Sequence, residues 1–196
     1  SLARRRLEVT KLYNRASGRM TDYSARLDLP TDFRLVAPVA DILTRDLKAG
    51  GRMPADGVFQ LRLTISELIT NAMEHGSLAI TLEEKLEALE AGRFDHLVEE
   101  RLKDPALAGR TVEVSARHTT DRVTFSVLDQ GPGFNVDEIC ARLNAPSPSL
   151  PCGRGLFLLR QLGDEYNFSQ GGRKVTLVRY LRDLDPPPAG RDYPAP

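Results

Sequence analysis

Val123-Thr-Phe-Ser-Val-Leu-Asp129-Gln-Gly-Pro-Gly-Phe134 is the stretch that decides the fold. Its first half alternates apolar and polar residues, the period of a strand with one buried face. Its second half is an acidic residue followed by Gly-Pro-Gly. Glycines at 131 and 133 let the backbone turn with positive φ and let a flat ring come close. A carboxylate at a strand's end accepts hydrogen bonds from an exocyclic amine such as that of adenine. Taken alone, the stretch fits a tight turn capped by Asp129 as well as it fits a pocket.

Working outward, Thr111-Val-Glu-Val-Ser-Ala-Arg117 alternates in the same way and joins it across Thr119-Thr120-Asp121, which predicts a β-hairpin. Tyr23-Ser-Ala-Arg-Leu-Asp-Leu29 alternates and then meets Pro30, which suits an edge strand. Tyr166-Asn-Phe168 and Lys174 to Leu181 form a second hairpin turning at Gly171-Gly172. Between strands, Thr31 or Asp32 caps a helix running to Ala49, where Gly50-Gly51 stops it. A second helix starts near Pro54-Ala-Asp56 and runs to His75, with Gly76 as its C-cap.

At 100° per residue, Val58, Leu61, Ile65, Leu68, Ile69 and Ala72 of that second helix share one stripe that docks on a sheet. Glu67, Asn71 and Glu74 project from another side. Residues 77–110 read as a polar insert of two short helices, 83–91 and 94–102, and its charges as a solvated surface. Val136, Ile139, Cys140 and Leu143 have the spacing of a short helix, 144–151 is a Pro/Ser-rich loop, and a helix runs from Gly155 to Asp164.

The order predicts an α+β two-layer sandwich, with a largely antiparallel sheet, helices on one face and a helical insert. Its organisation is a helical lead-in or linker at 1–22, one domain at 23–182, and a disordered Pro-rich tail at 183–196.

Composition narrows the function. With 196 residues, a second full domain is not expected. Lys plus Arg (27) equals Asp plus Glu (27), so no global charge argues for nucleic acid or an anionic membrane as partner. No apolar run reaches the ~20 residues needed to cross a bilayer, and no signal peptide is visible, so the cytoplasm is the default location. Cys140 and Cys152 make neither a disulfide framework nor a zinc spacing. A chain beginning at Ser1 reads as a piece of a longer protein or as a tag scar.

Two further elements bear on the Asp129 turn. Glu67-Leu-Ile-Thr-Asn71 places a carboxylate and an amide one helical turn apart. An amide oxygen suits a Mg²⁺ that keeps its waters and its substrate phosphates, and a neighbouring carboxylate accepts a proton from an attacking hydroxyl or water. On its own, such a pair is more often plain helix surface. Gly153-Arg154-Gly155 opens a helix whose free N–H groups bind phosphate, with Arg154 adding a cation and a bidentate donor. No P-loop and no Gly-x-Gly-x-x-Gly occurs. His75 reads as a helix-dipole partner, and His96 and His118 as surface residues.

The three elements together resemble the N, G1 and G2 boxes of the GHKL (Bergerat-fold) ATPases. Glu67 to His75-Gly76, Asp129-x-Gly-x-Gly-Phe134 and Gly153-Arg-Gly-Leu156 are most similar to the anti-sigma-factor serine/threonine kinase branch, over about residues 24–182. The 77–110 insert departs from the compact pattern. The resemblance implies ATP and Mg²⁺ as cofactors, with Glu67 as general base and Asn71 as metal ligand. Asp129 would hold adenine, and Gly131 and Gly133 would shape its pocket. Gly153, Arg154 and Gly155 would border the phosphates under a lid at 144–152, with Thr176 near adenine. It further implies phosphorylation of a STAS-type antagonist protein, binding of a sigma factor, and a homodimer. A non-catalytic nucleotide-gated module is the alternative. The ATP-binding half of a histidine kinase is a weaker one, since residues 1–20 hold no histidine.

Overall fold

The computed structural model describes residues 22–49, 52–137, 159 and 164–181. Strand β1 (Tyr23–Pro30) pairs with β2 (Thr111–His118), from Tyr23 opposite His118 to Pro30 opposite Thr111. β3 (Arg122–Leu128) follows across the expected hairpin. β4 (Glu165–Ser169) and β5 (Lys174–Tyr180) make the second hairpin, and β5 inserts beside β3. The order β1-β2-β3-β5-β4 is antiparallel throughout. Pro30, which has no N–H to give to a ladder, sits on an edge strand as its chemistry requires.

Period-2 alternation sends Val112, Val114 and Ala116 of β2, Val123, Phe125 and Val127 of β3, and Leu177 of β5 into one core. The helices cover that face. Asp32 caps a single 3₁₀ turn (Phe33–Leu35), its carboxylate accepting from the Arg34 backbone N–H at 3.0 Å. Helix α1 (Val36–Ala49) continues from there and buries Val36, Val39, Ala40, Leu43 and Leu47. Helix α2 (Ala55–Asn71) buries Val58, Leu61, Ile65, Leu68 and Ile69, the stripe read from its spacing, with Ala72 just beyond. Replacing Phe125, which is fully buried between the layers, with Ala would cost about 3–5 kcal/mol.

Three short helices make up the insert: α3 (Leu82–Glu90), α4 (Phe94–Leu102) and α5 (Pro105–Ala108). Thr81 and Glu84 form a reciprocal capping box at the start of α3, and Asp104 caps α5 with Pro105 in its first turn.

The insert is not only a solvated surface. Glu74, expected to project beside Glu67 and Asn71, is 4% exposed and paired with Lys85 of α3. The Lys85 ammonium also lies 5.9 Å from the Phe94 ring centroid, so a buried charge pair ties the insert to the end of the α2 region.

His118 is a second correction. It is 2% exposed, on the core face of β2, edge-on to Tyr23 and Phe125, and among the described residues its ring nitrogens make no hydrogen bond of ordinary geometry, with only the Leu43 backbone nearby. Strand parity explains it, since His118 follows Val112, Val114 and Ala116 at intervals of two. Burial, then the Arg52 charge, pushes its pKa down to about 4. His96 is exposed, as expected.

Candidate functional site

Asp129 follows the last residue of β3, the central strand of the sheet. Its backbone N–H donates to the Arg173 carbonyl at 3.1 Å, extending the β3–β5 ladder by one residue. By parity its side chain belongs to the same face as Phe125 and Val127, toward the helices. One carboxylate oxygen accepts the Gly131 N–H at 2.7 Å. Burial raises its pKa; the Gly131 hydrogen bond and the charges of Arg173 and Arg110 partly offset that.

What Asp129 lies against is the end of the α2 region. The α-helix stops at Asn71 and continues as a π-helical turn, Ala72–Ser77, with the Leu78 N–H bonded to the Met73 carbonyl at 2.9 Å. Gly76 lies inside this turn and is not a left-handed C-cap; the positive φ belongs to Ala79, at 50°. A Cβ on Gly76 would stand 2.4 Å from Asp129 Cγ, so the absence of a side chain is what admits the carboxylate. A Cβ on Gly131 would stand 2.4 Å from the Gly76 carbonyl oxygen. The two motifs therefore touch backbone to backbone.

On its other side the loop after Asp129 packs on the β4–β5 turn. Gly133 has φ 75°, and a Cβ there would lie 2.0 Å from the Gly171 carbonyl oxygen. The Phe134 N–H donates to that same oxygen at 3.1 Å, and the Phe134 ring packs edge-on against Phe168, 5.4 Å between centroids. His75 has a structural part, its Nδ1 lying 2.6 Å from the Ile80 carbonyl.

Glu67 and Asn71 are half-buried on α2, one turn apart. At 1.5 Å per residue they lie about 13 Å and about 7.5 Å along the axis from Gly76. Along the helix the order running back from Gly76 is Asn71 and then Glu67.

Thr176 is not part of it. It pairs with Ser126, its hydroxyl 3.0 Å from the Ser126 hydroxyl, while its neighbour Leu177 points into the core. One step of β alternation puts Thr176 on the opposite face of the sheet from Asp129. The β5-side neighbour of Asp129 is Arg173, a position that counting the register back from the Gly171-Gly172 turn would have found. Gly153, Arg154, Gly155, the expected lid and both cysteines lie outside the described residues, as do the 1–20 lead-in and the tail.

Among the described residues, no group of three or more His, Cys, Asp or Glu converges as a metal site. A Mg²⁺ held mainly by phosphate and water needs no more than one protein amide, the chemistry Asn71 offers.

This chain belongs to the histidine kinase-like ATPase domain family, whose model matches residues 29–179. The match runs through the insert and both hairpins. No curated protein matches the chain. Among the described residues, no helix is long and apolar enough to cross a membrane.

Proposed function

We propose that this domain is a cytoplasmic protein serine/threonine kinase that uses MgATP to phosphorylate a STAS-type antagonist protein in a partner-switching pathway, and that it also binds a sigma factor. The observation that carries the reading is Glu67 one turn from Asn71 on α2, on the far side of Asn71 from Gly76, the residue that packs on Asp129. A nucleotide sensor needs no base at that position. Bound Mg²⁺ would neutralise charge on the transferring phosphate.

The chain's own residues divide the work. Asp129 accepts from the adenine amine, and Gly131 and Gly133 shape the loop that presents it, packed on Gly76 and on the Gly171 carbonyl. Asn71 would hold the metal. Gly153, Arg154 and Gly155 contact the phosphates. Glu67 takes the proton of the attacking hydroxyl as its oxygen bonds to the γ-phosphorus and the bond to ADP breaks. Positioning and charge neutralisation supply most of the rate. The histidines favour a hydroxyl acceptor over an imidazole within this domain: His118 is buried, His75 is bonded and His96 lies in the insert.

Glu67→Gln tests the assignment. Phosphoserine or phosphothreonine formation on a cognate antagonist should vanish, with ATP affinity within about threefold of the parent. Transfer at the parental rate by the variant would remove Glu67 from the chemistry. Partner binding that depends on nucleotide but is indifferent to the substitution would identify a nucleotide-gated module instead. For a homodimer, the exposed Ile42, Phe59 and Leu63 on the outer faces of α1 and α2 supply apolar surface. A monomer mass for the parent in sedimentation would end that part of the proposal.

A further inference from the structure

The insert returns to the sheet at Arg110-Thr111, and this junction grips both halves of the site. A guanidinium nitrogen of Arg110 donates to the Gly76 carbonyl at 3.2 Å and to the Ser77 carbonyl at 3.3 Å. These are carbonyls of the π-helical turn, at a helix end where acceptors lack partners within the helix. One residue on, the Thr111 N–H donates to the Gln130 side-chain carbonyl at 3.1 Å. Gln130 stands between Asp129 and Gly131, the residues that pack on Gly76.

We infer that Arg110 is a positioning residue of the nucleotide site: it holds the Gly76 turn under Asp129, while the next residue holds the Gln130 loop above it. The inference rests on the nucleotide-binding reading and deepens it. It gives the 77–110 insert a role, because the insert's last residue sets the spacing between the two motifs that form the adenine end. The contact between them leaves no slack, since a single added carbon at Gly76 or Gly131 would fall 2.4 Å from the other motif. A turn whose outer carbonyls lost their donor would be free to move away from Asp129. Arg110 also contributes positive charge near that carboxylate, so it favours the ionised form that accepts from adenine.

The test uses the full chain with Arg110→Met and Arg110→Lys. ADP affinity should fall about tenfold in Arg110→Met, the scale of one lost charge-assisted hydrogen bond. The pH below which binding is lost should move upward in that variant, because Asp129 loses a neighbouring cation. Arg110→Lys keeps the charge, so its acid limb should match the parent while its affinity falls between the two. A purely structural staple would lower the melting temperature without moving affinity or the acid limb, and that result overturns the inference.

Carbon-13 titration of Asp129 in nucleotide-free protein separates this from failure of the function itself. A parent that binds no ADP would sink the nucleotide reading. An upward Asp129 shift in Arg110→Met, absent in Arg110→Lys, would still support the coupling of Arg110 to Asp129, and no shift would refute it. If Arg110→Met does not fold, Arg110→Gln, which is neutral and keeps a donor, gives the same readouts.

Discussion

Gly76→Ala is the sharpest test of the site geometry. The added methyl would lie 2.4 Å from Asp129 Cγ, 2.5 Å from its Cβ and 2.6 Å from Oδ1. That is about 1 Å inside ordinary carbon contact, where attraction has turned to repulsion. Asp129 has little freedom to yield, because its N–H is bonded to Arg173 and its carboxylate to Gly131. Either the π-helical turn shifts or the carboxylate leaves its place.

Overpacking of this kind costs about 1–3 kcal/mol. For a chain of this size, about 2 kcal/mol lowers the melting temperature by about 4–8 °C. Losing a hydrogen bond to a charged acceptor, about 1.5–3 kcal/mol, weakens nucleotide binding by about 10- to 150-fold. Calorimetric titration with ADP and a thermal melt measure both. Gly92→Ala is the control: its φ of 64° makes an alanine strained, but no atom lies within 4 Å. It should cost about 1–2 kcal/mol and leave ADP affinity unchanged. A folded Gly76→Ala protein with parental ADP affinity would falsify the claim that Asp129 and Gly76 share one pocket, as would an equal affinity loss in Gly92→Ala.

Other consequences are separable. His118 has a folded pKa of about 4 against 6.5 for the free side chain, so its stabilising effect is complete above pH 6.5 and lost as pH falls toward 4. The full loss is about 3 kcal/mol, and urea denaturation at pH 7.5 and 4.5 should show a smaller drop for His118→Leu than for the parent. Lys85→Met leaves the Glu74 carboxylate buried without its partner and should cost about 3–5 kcal/mol; Glu74→Gln with Lys85→Met should cost less than Lys85→Met alone, and equal losses would deny the pairing. Asp129 has a raised pKa, so its charge costs stability at neutral pH and that cost is relieved on acidification through the folded value. ADP binding should be lost over the same window in the parent, whereas Asp129→Asn should bind weakly with that titration removed.

The strands and their faces were legible because alternation is local: each of β1, β2 and β3 can be read from its own residues, and the antiparallel hairpins follow from the turns between them. The α2 stripe was legible for the same reason, since 3.6-residue periodicity needs no knowledge of what the stripe packs on. The misreadings came where the answer lay across the sheet. Thr176 looked close to the site in a motif, but one step of β parity sends it to the far face. Glu74 and His118 carry polar side chains, and only the packing of α3 on the α2 end, and of α1 over the strand end, takes them out of water.

By itself, then, the order of residues determined the two-layer α+β class, the sheet's strands and the candidate residues Glu67, Asn71 and Asp129 on their elements. Tertiary structure alone decided that Gly76, read as a helix stop, is the floor beneath Asp129. It also decided that Arg110, unremarked at the end of a polar insert, is the donor to that floor. The physical reason is distance along the chain: Gly76 and Asp129 are 53 positions apart, and no local period reports which backbone will need to pass within a methyl group's width of another.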